Sequence, residues 1–219
     1  MTLTEAALLL YDEYREGRFP MADKADDEGF MIITPRERAL LPIKDLHLSR
    51  SLLKVVKQNR FKVTHNLAFE RVINACAEKV SNRPETWINP DIKILFMELH
   101  RLGHAHSIEC WHDDTLVGGL YGLAVGGVFC GESMFSRTTD ASKVALVHLC
   151  ARLFNAKFEL LDAQFHNDHL EQFGLYLLKQ STYVERLKTL RDMECDFALR
   201  TTHQTEQDLI VSYLKNRAA

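Results

Sequence analysis

Gly103–Arg137 reads GHAHSIECWHDDTLVGGLYGLAVGGVFCGESMFSR, and this stretch decides the fold. Three runs of β-branched, aromatic and small residues, 105–112, 115–124 and 127–132, are separated by His112-Asp113-Asp114-Thr115 and by Gly126-Gly127. Tight turns of Asp and Gly between such runs join neighbouring antiparallel strands, so the segment predicts a meander. Its tail, Phe129-Cys130-Gly131-Glu132-Ser133-Met134-Phe135-Ser136-Arg137, sets one carboxylate among hydrophobic residues. A strand-end Glu that simply reaches solvent is one reading. A Glu withdrawn from water must instead be paired, hydrogen-bonded or protonated, which makes Glu132 a candidate site residue.

Working outward, a helical pattern at 141–156 leads to an apolar strand at 158–164, which ends Leu160-Leu161-Asp162-Ala163-Gln164. On a regular strand Asp162 and Gln164 share one face and Leu161 and Ala163 the other. Further helical patterns cover 4–16, 49–58, 67–80, 91–102 and 180–192, with a short strand at 61–64. Ser49, Asn66 and Asn89-Pro90-Asp91 stand where helix N-termini need a side-chain acceptor or a proline in the first turn. A meander, a helix and one more strand make the chain α+β, without internal repeats.

At 219 residues and 46% hydrophobic content, the chain suffices for one large domain or a domain with a small appendage. No apolar run nears the roughly 20 residues of a membrane span, and Met-Thr-Leu-Thr-Glu lacks the parts of a signal peptide. A soluble cytoplasmic protein is expected. Cys76, Cys110, Cys130, Cys150 and Cys195 are odd in number and sit mostly among apolar neighbours, which favours packed thiols over disulfides. A strand sends His104 and His106 to one face but leaves His112 near a turn. With Cys110 these make a poor tetrahedral set, and no metal is expected.

The formal net charge of −3 is unevenly spread. Residues 1–29 hold eight acidic and three basic side chains, whereas residues 36–62 hold eight basic and two acidic, a net of +6. Arg50, Lys54 and Lys57 are spaced four and three apart and form one stripe on a helix starting near Ser49, with Arg60 and Lys62 just beyond. Such a stripe is either an ordinary solvated face or a contact for phosphates.

Taken in order, GHAHSIE with its following VGG-x-YG, then FCGESMFSR, ASK, D-x-Q and NDH, resemble the leucyl/phenylalanyl-tRNA protein transferase family from about Gly17 onward. The resemblance implies an enzyme that moves Leu or Phe, or also Met, from aminoacyl-tRNA to the N-terminal Arg or Lys of a protein. That transfer marks the acceptor for degradation in the N-degron pathway. The fold implied is a GCN5-related N-acetyltransferase-like core over residues 41–219, with a small N-terminal subdomain over residues 1–40. No cofactor is implied, the partners are aminoacyl-tRNA and the acceptor protein, and a monomer is expected.

On the same resemblance, Gln164 would contact the reacting amine, Asp162 would polarise or orient Gln164, and Glu132 would hold the acceptor's N-terminus or its cationic side chain. An α-amino group, with an ordinary pKa of about 7.7–8.0, is mostly protonated at neutral pH and must lose a proton to attack the ester. Gln is a poor base, which leaves the proton acceptor open, with the adenosine 2'-hydroxyl or a water as candidates. A pocket for the transferred side chain would draw on Leu120, Phe129, Leu146, Leu149, Leu153 and Leu161, each equally suited to plain core packing. Trp87 would stack on the 3'-terminal adenosine, a contact worth about 1–3 kcal/mol, or else fill a half-buried core position. Arg50, Lys54, Lys57, Arg60 and Lys62 would hold the tRNA acceptor stem through phosphates, without reading sequence.

Two rival readings use the same residues. An acyl-CoA-dependent acetyltransferase shares the implied fold, but residues 136–143 read SRTTDASK, with no glycine for a pyrophosphate loop and with Asp140 ahead of the helix. A non-catalytic tRNA-binding relative does not require Glu132, Asp162 and Gln164 together. The chain also departs from the family pattern: Met21 stands where Trp is usual, Ile32-Ile33 replace Trp-Trp before Thr34-Pro35, and Phe173-Gly174-Leu175 replaces Leu-Gly-Ala. The first two changes bear on adenosine stacking near the N-terminal segment. Donor preference stays open, because one methylene in an apolar pocket is worth only about 1–3 kcal/mol.

Overall fold

The computed structural model describes residues 1–80, 85–200 and 204–217. In chain order its elements are α1 (Leu3–Arg15), β1 (Phe19–Met21), β2 (Met31–Ile33), β3 (Glu37–Leu41), α2 (Arg50–Lys57), β4 (Lys62–His65), α3 (Phe69–Ala77) and α4 (Pro90–Arg101). There follow β5 (Ala105–His112), β6 (Thr115–Val125), β7 (Val128–Ser136), α5 (Ala141–Asn155), β8 (Leu160–Gln164), α6 (Asp168–Glu171), β9 (Tyr176–Lys179), α7 (Gln180–Leu190) and α8 (Glu206–Asn216).

β5, β6 and β7 form the expected antiparallel meander, and β4 adds antiparallel outside β5. After β7 the chain crosses through α5 and returns as β8, parallel to β7, the pairing that a helical crossover permits. β3 and β9 extend the sheet to seven strands in the order β4-β5-β6-β7-β8-β3-β9, while β1 and β2 pair separately. The α+β class read from the sequence is the one found.

Strand alternation divides the interior in two. Ala105, Val128, Cys130 and Leu160 face the core shared with α1, α3, α4 and α7, whereas Ile108, Phe129 and Leu161 face the core shared with α2, α5 and α8. With both faces covered, β5 and β6 are buried almost throughout, including the polar His106, Ser107 and Glu109 of β5, whereas β7 is only half-buried from Gly131 to Met134.

Ser49 and Asn89 cap α2 and α4 as expected, accepting from Leu52 N at 3.2 Å and Ile92 N at 2.9 Å. Asn66 does not cap α3, which begins after Ala68 without a side-chain cap. Asn66 instead holds a positive φ of 55°, and its side-chain oxygen accepts from Ser107 N at 3.0 Å, tying the end of β4 to β5. β1, β2, β3, β9, α6 and α8 are absent from the elements read in the sequence; the strands and α6 are short, and ERALL lacks strand alternation, whereas α8 is an 11-residue helix with a capping box at Thr205 and Asp208. The boundary expected near residue 40 passes through β3, a member of the large sheet.

Candidate active site

Two β-bulges bring the polar residues together. Between β6 and β7 the register passes from Tyr121 opposite Ser133 to Gly122 opposite Gly131, leaving Glu132 as the extra residue. A bulge bends its strand and re-aims the unpaired side chain. Glycine is required at 122, where a Cβ would lie 2.3 Å from the Cys130 carbonyl oxygen. Between β3 and β8 the register passes from Leu40 opposite Asp162 to Ala39 opposite Gln164, so Ala163 is the extra residue. Gln164 then adopts a left-handed φ of 64°. Such a conformation costs a non-glycine residue on the order of 1 kcal/mol or more and persists only where its surroundings fix it.

The fixing group is Asp162, whose Oδ1 accepts the Gln164 backbone N–H at 2.8 Å. Asp162 therefore orients Gln164 through the main chain, and the simple same-face strand geometry is modified by the bulge. Asp162 is fully buried and is itself held by Arg38, through Nε at 3.2 Å and through Nη2. The same guanidinium donates to the Gly17 carbonyl at 3.1 Å and lies over the rings of Phe19 and Tyr183. Burial opposes the charge on Arg38, but the facing carboxylate outweighs it and raises the pKa above its ordinary value.

Above this brace, Glu132 Oε1 accepts from Tyr14 Oη and from Gln164 Nε2, both at 2.8 Å. A carboxylate only accepts, so the Gln164 amide presents its NH₂ to Glu132 and keeps its carbonyl oxygen for a donor. Glu132 Oε2 is buried without a partner, and so is Oη of Tyr121. Burial pushes the Glu132 pKa up to about 8, against the lowering effect of the Tyr14 and Gln164 hydrogen bonds.

Glu132, Tyr121, Asp162 and Gln164 line a cavity of about 350 Å³, within the usual range for small-molecule sites. Leu120, Leu146, Leu149 and Leu161 form its apolar wall, with Trp87 at its edge. Phe129 and Leu153 lie outside it: both are fully buried core residues, and Phe129 stacks on Phe197 at 5.3 Å. Met21 lines the cavity beside Pro20, whereas Ile32 is exposed and Ile33 packs toward the core. Sequence reasoning missed Tyr14, Phe19, Arg38, Met134 and Phe165. A signal for Arg38 was present, since a carboxylate inside an apolar strand calls for a partner and a buried cation is one way to supply it. Tyr14 was legible only as a member of the α1 face that buries Ala7 and Leu10.

Arg50, Lys54, Lys57, Arg60 and Lys62 are all exposed. Leu52 and Val56 bury the opposite side of α2 in the core that it shares with α5, so the stripe is an outer face. His104 stacks on Tyr11 and His106 on Phe197, each at 4.2 Å. Among the described residues, the grouping of potential metal ligands is the exposed His166, Asp168 and Glu171. Asp140 precedes α5 in a left-handed conformation and pairs with Lys143 at 3.0 Å. No helix among the described residues is long and apolar enough to cross a membrane.

Residues 40–188 match the family model described as leucyl/phenylalanyl-tRNA protein transferase. A protein of that name from Hyphomonas neptunium is 52% identical over 184 residues, covering 84% of this chain and 71% of its own. One from Paramagnetospirillum magneticum is 50% identical, covering 82% and 86%, and one from Rhodospirillum rubrum is 49% identical, covering 87% and 90%. Among solved structures, a GCN5-related N-acetyltransferase-like protein from Streptococcus suis aligns at 18% identity and a TM-score of 0.34, covering 65% of this chain and 58% of that one.

Proposed function

The chain belongs to the leucyl/phenylalanyl-tRNA protein transferase family, and from that premise we propose that it transfers Leu or Phe from aminoacyl-tRNA to a protein's α-amino group, forming a peptide bond. The observation that carries this reading is the meeting, in one cavity, of the Glu132–Gln164 pair with the apolar wall of Leu120, Leu146, Leu149 and Leu161. The wall takes the Leu or Phe side chain, Met being a further candidate, and Trp87 takes the terminal adenosine. That arrangement puts the ester carbonyl at the polar end, where the Gln164 carbonyl oxygen accepts an N–H of the incoming amine. Asp162, held by Arg38, keeps Gln164 in the conformation this requires.

Acceptors are proteins beginning with Arg or Lys, whose positive charge suits the carboxylate end of the cavity. The product is then an N-degron, and the setting is the cytoplasm, with the enzyme acting as a monomer. Arg50, Lys54, Lys57, Arg60 and Lys62 hold the tRNA through its phosphates. Residues 1–40 serve as a small subdomain that lends Tyr14 and Phe19 to the catalytic part, residues 41–219. The aminoacyl ester is already activated, so the reaction needs no cofactor. The test is transfer of radiolabelled Leu from charged tRNA to a peptide beginning with Arg, beside an acetyl-CoA control. Acetylation without aminoacyl transfer overturns the proposal.

A further inference from the structure

We infer that Glu132 is the group that takes the proton from the acceptor's α-ammonium, an inference that rests on the transferase reading above. Its Oε1 is occupied by Tyr14 and Gln164, which fix the carboxylate in place, while its Oε2 is buried and unpartnered, on a residue that lines the cavity. A buried acceptor without a donor has lost its hydrogen bonds to water and gained none in return. A ligand N–H directed at Oε2 makes good that loss. Gln164 is bonded to the same carboxylate, so an ammonium seated there reaches both Oε2 and the Gln164 carbonyl oxygen.

The other candidates are engaged or unsuited. Both Asp162 oxygens are taken, by Arg38 and the Gln164 N–H, so neither is free for an incoming amine. His166 is exposed and bonded to Glu171 at 2.7 Å. Tyr14 and Tyr121 are buried, which raises both phenol pKa values and keeps them protonated. The titratable and charged groups around Glu132 are Tyr14 of α1, Arg38 of β3, Tyr121 of β6, Cys130 of β7 and Asp162 of β8. In that setting Glu132 titrates at about 8. An α-amino group titrates at about 7.7–8.0, so the proton passes between them at little cost.

The ammonium gives one proton to Oε2, and the freed nitrogen lone pair forms the C–N bond to the ester carbonyl carbon. The bond from that carbon to the ribose oxygen breaks, and the second proton on nitrogen ends on the departing ribose oxygen. Oε2 then returns its proton to water.

The experiment compares wild type, Glu132→Gln and Tyr14→Phe in single-turnover transfer from Leu-tRNA at pH 7. Two peptides of one sequence serve as acceptors, one with an N-terminal Arg and one with the aminooxy analogue of that residue, whose nitrogen is already unprotonated. Glu132→Gln is expected to slow the amine peptide by about 10²–10³-fold and the aminooxy peptide by less than about tenfold. Tyr14→Phe keeps the base but loses a hydrogen bond that lowers its pKa, so the acid limb of its pH–rate profile moves to higher pH. Melting curves establish that both variants fold. Equal losses on the two peptides, or an unmoved acid limb in Tyr14→Phe, overturn the inference and leave Glu132 a purely positioning residue. A wild type that transfers Leu to neither peptide defeats the transferase reading itself, a distinguishable result.

Discussion

Gln164 donates its carboxamide N–H to the Glu132 carboxylate at 2.8 Å, across the one parallel pairing in the described sheet. The last paired residues there are Cys130 and Asp162, and Glu132 and Gln164 stand two residues beyond them on each strand. Each strand is bulged near this point in the ladder with its other neighbour, β7 with β6 and β8 with β3. The contact joins two side chains beyond the end of the parallel ladder.

Gln164→Ala removes that hydrogen bond and the carbonyl oxygen offered to the amine. Transfer at saturating substrates is expected to fall by about 10²-fold, the usual loss for one well-placed polar group. Affinity for charged tRNA should stay within about twofold, since it comes mainly from phosphates. Filter binding and single-turnover transfer, measured on the same preparation, check both halves; matched losses would mean a structural role.

Asp162→Ala behaves differently, because it strands Arg38 in the interior. Leaving a buried charge uncompensated costs about 3–5 kcal/mol, which urea unfolding will register. The double substitution Arg38→Met with Asp162→Leu removes both charges and should recover much of that stability. It should not recover transfer, because the Gln164 N–H still lacks its acceptor. Restored activity in the double variant would separate Gln164's conformation from catalysis.

The meander and β8 were legible because period and turn chemistry agreed over them, and α5 by its helical pattern, although no side chain caps it. Glu132, Asp162 and Gln164 were legible as polar residues in apolar strands. Their geometry was not, since a bulge shifts the register by one residue and leaves composition unchanged. Gly122 marks the first bulge only after its neighbours are known, through the clash that a Cβ would make with Cys130. Tyr14 and Arg38 reach the site from 118 and 124 residues away. A distance of that kind along the chain leaves no local pattern. The resemblance assigns Phe129 and Leu153 to the pocket; Phe129 shares a face with Leu161, and Leu153 with Leu146 and Leu149, and all belong to the same core, but Phe129 and Leu153 lie outside the cavity lining.

The stripe on α2 has a salt signature. If Arg50, Lys54 and Lys57 meet phosphates, replacing all three by Gln should weaken every tRNA alike. The log–log slope of affinity against salt should flatten by about 0.7–0.9 for each phosphate no longer neutralised. Stability should barely move, since the three side chains are exposed. An unchanged slope returns α2 to a solvated face.

Glu132 also predicts how stability depends on pH. Its folded-state pKa is raised to about 8 by burial, against an ordinary value of about 4.3 in the unfolded chain. Between those values the folded state binds more protons than the unfolded one, so stability falls as pH rises. The contribution is whole below about pH 4.3 and disappears as pH climbs through the folded pKa. Glu132→Gln cannot ionise and escapes this decline, while its amide still accepts from Tyr14. The variant should therefore melt a few degrees above wild type at pH 8 and near it at pH 5, a degree or two corresponding to about 0.5 kcal/mol in a chain of this size. Thermal melts of the two proteins at both pH values decide the matter: an equal difference at pH 5 and pH 8 would mean that Glu132 carries no buried charge whose removal stabilises the fold.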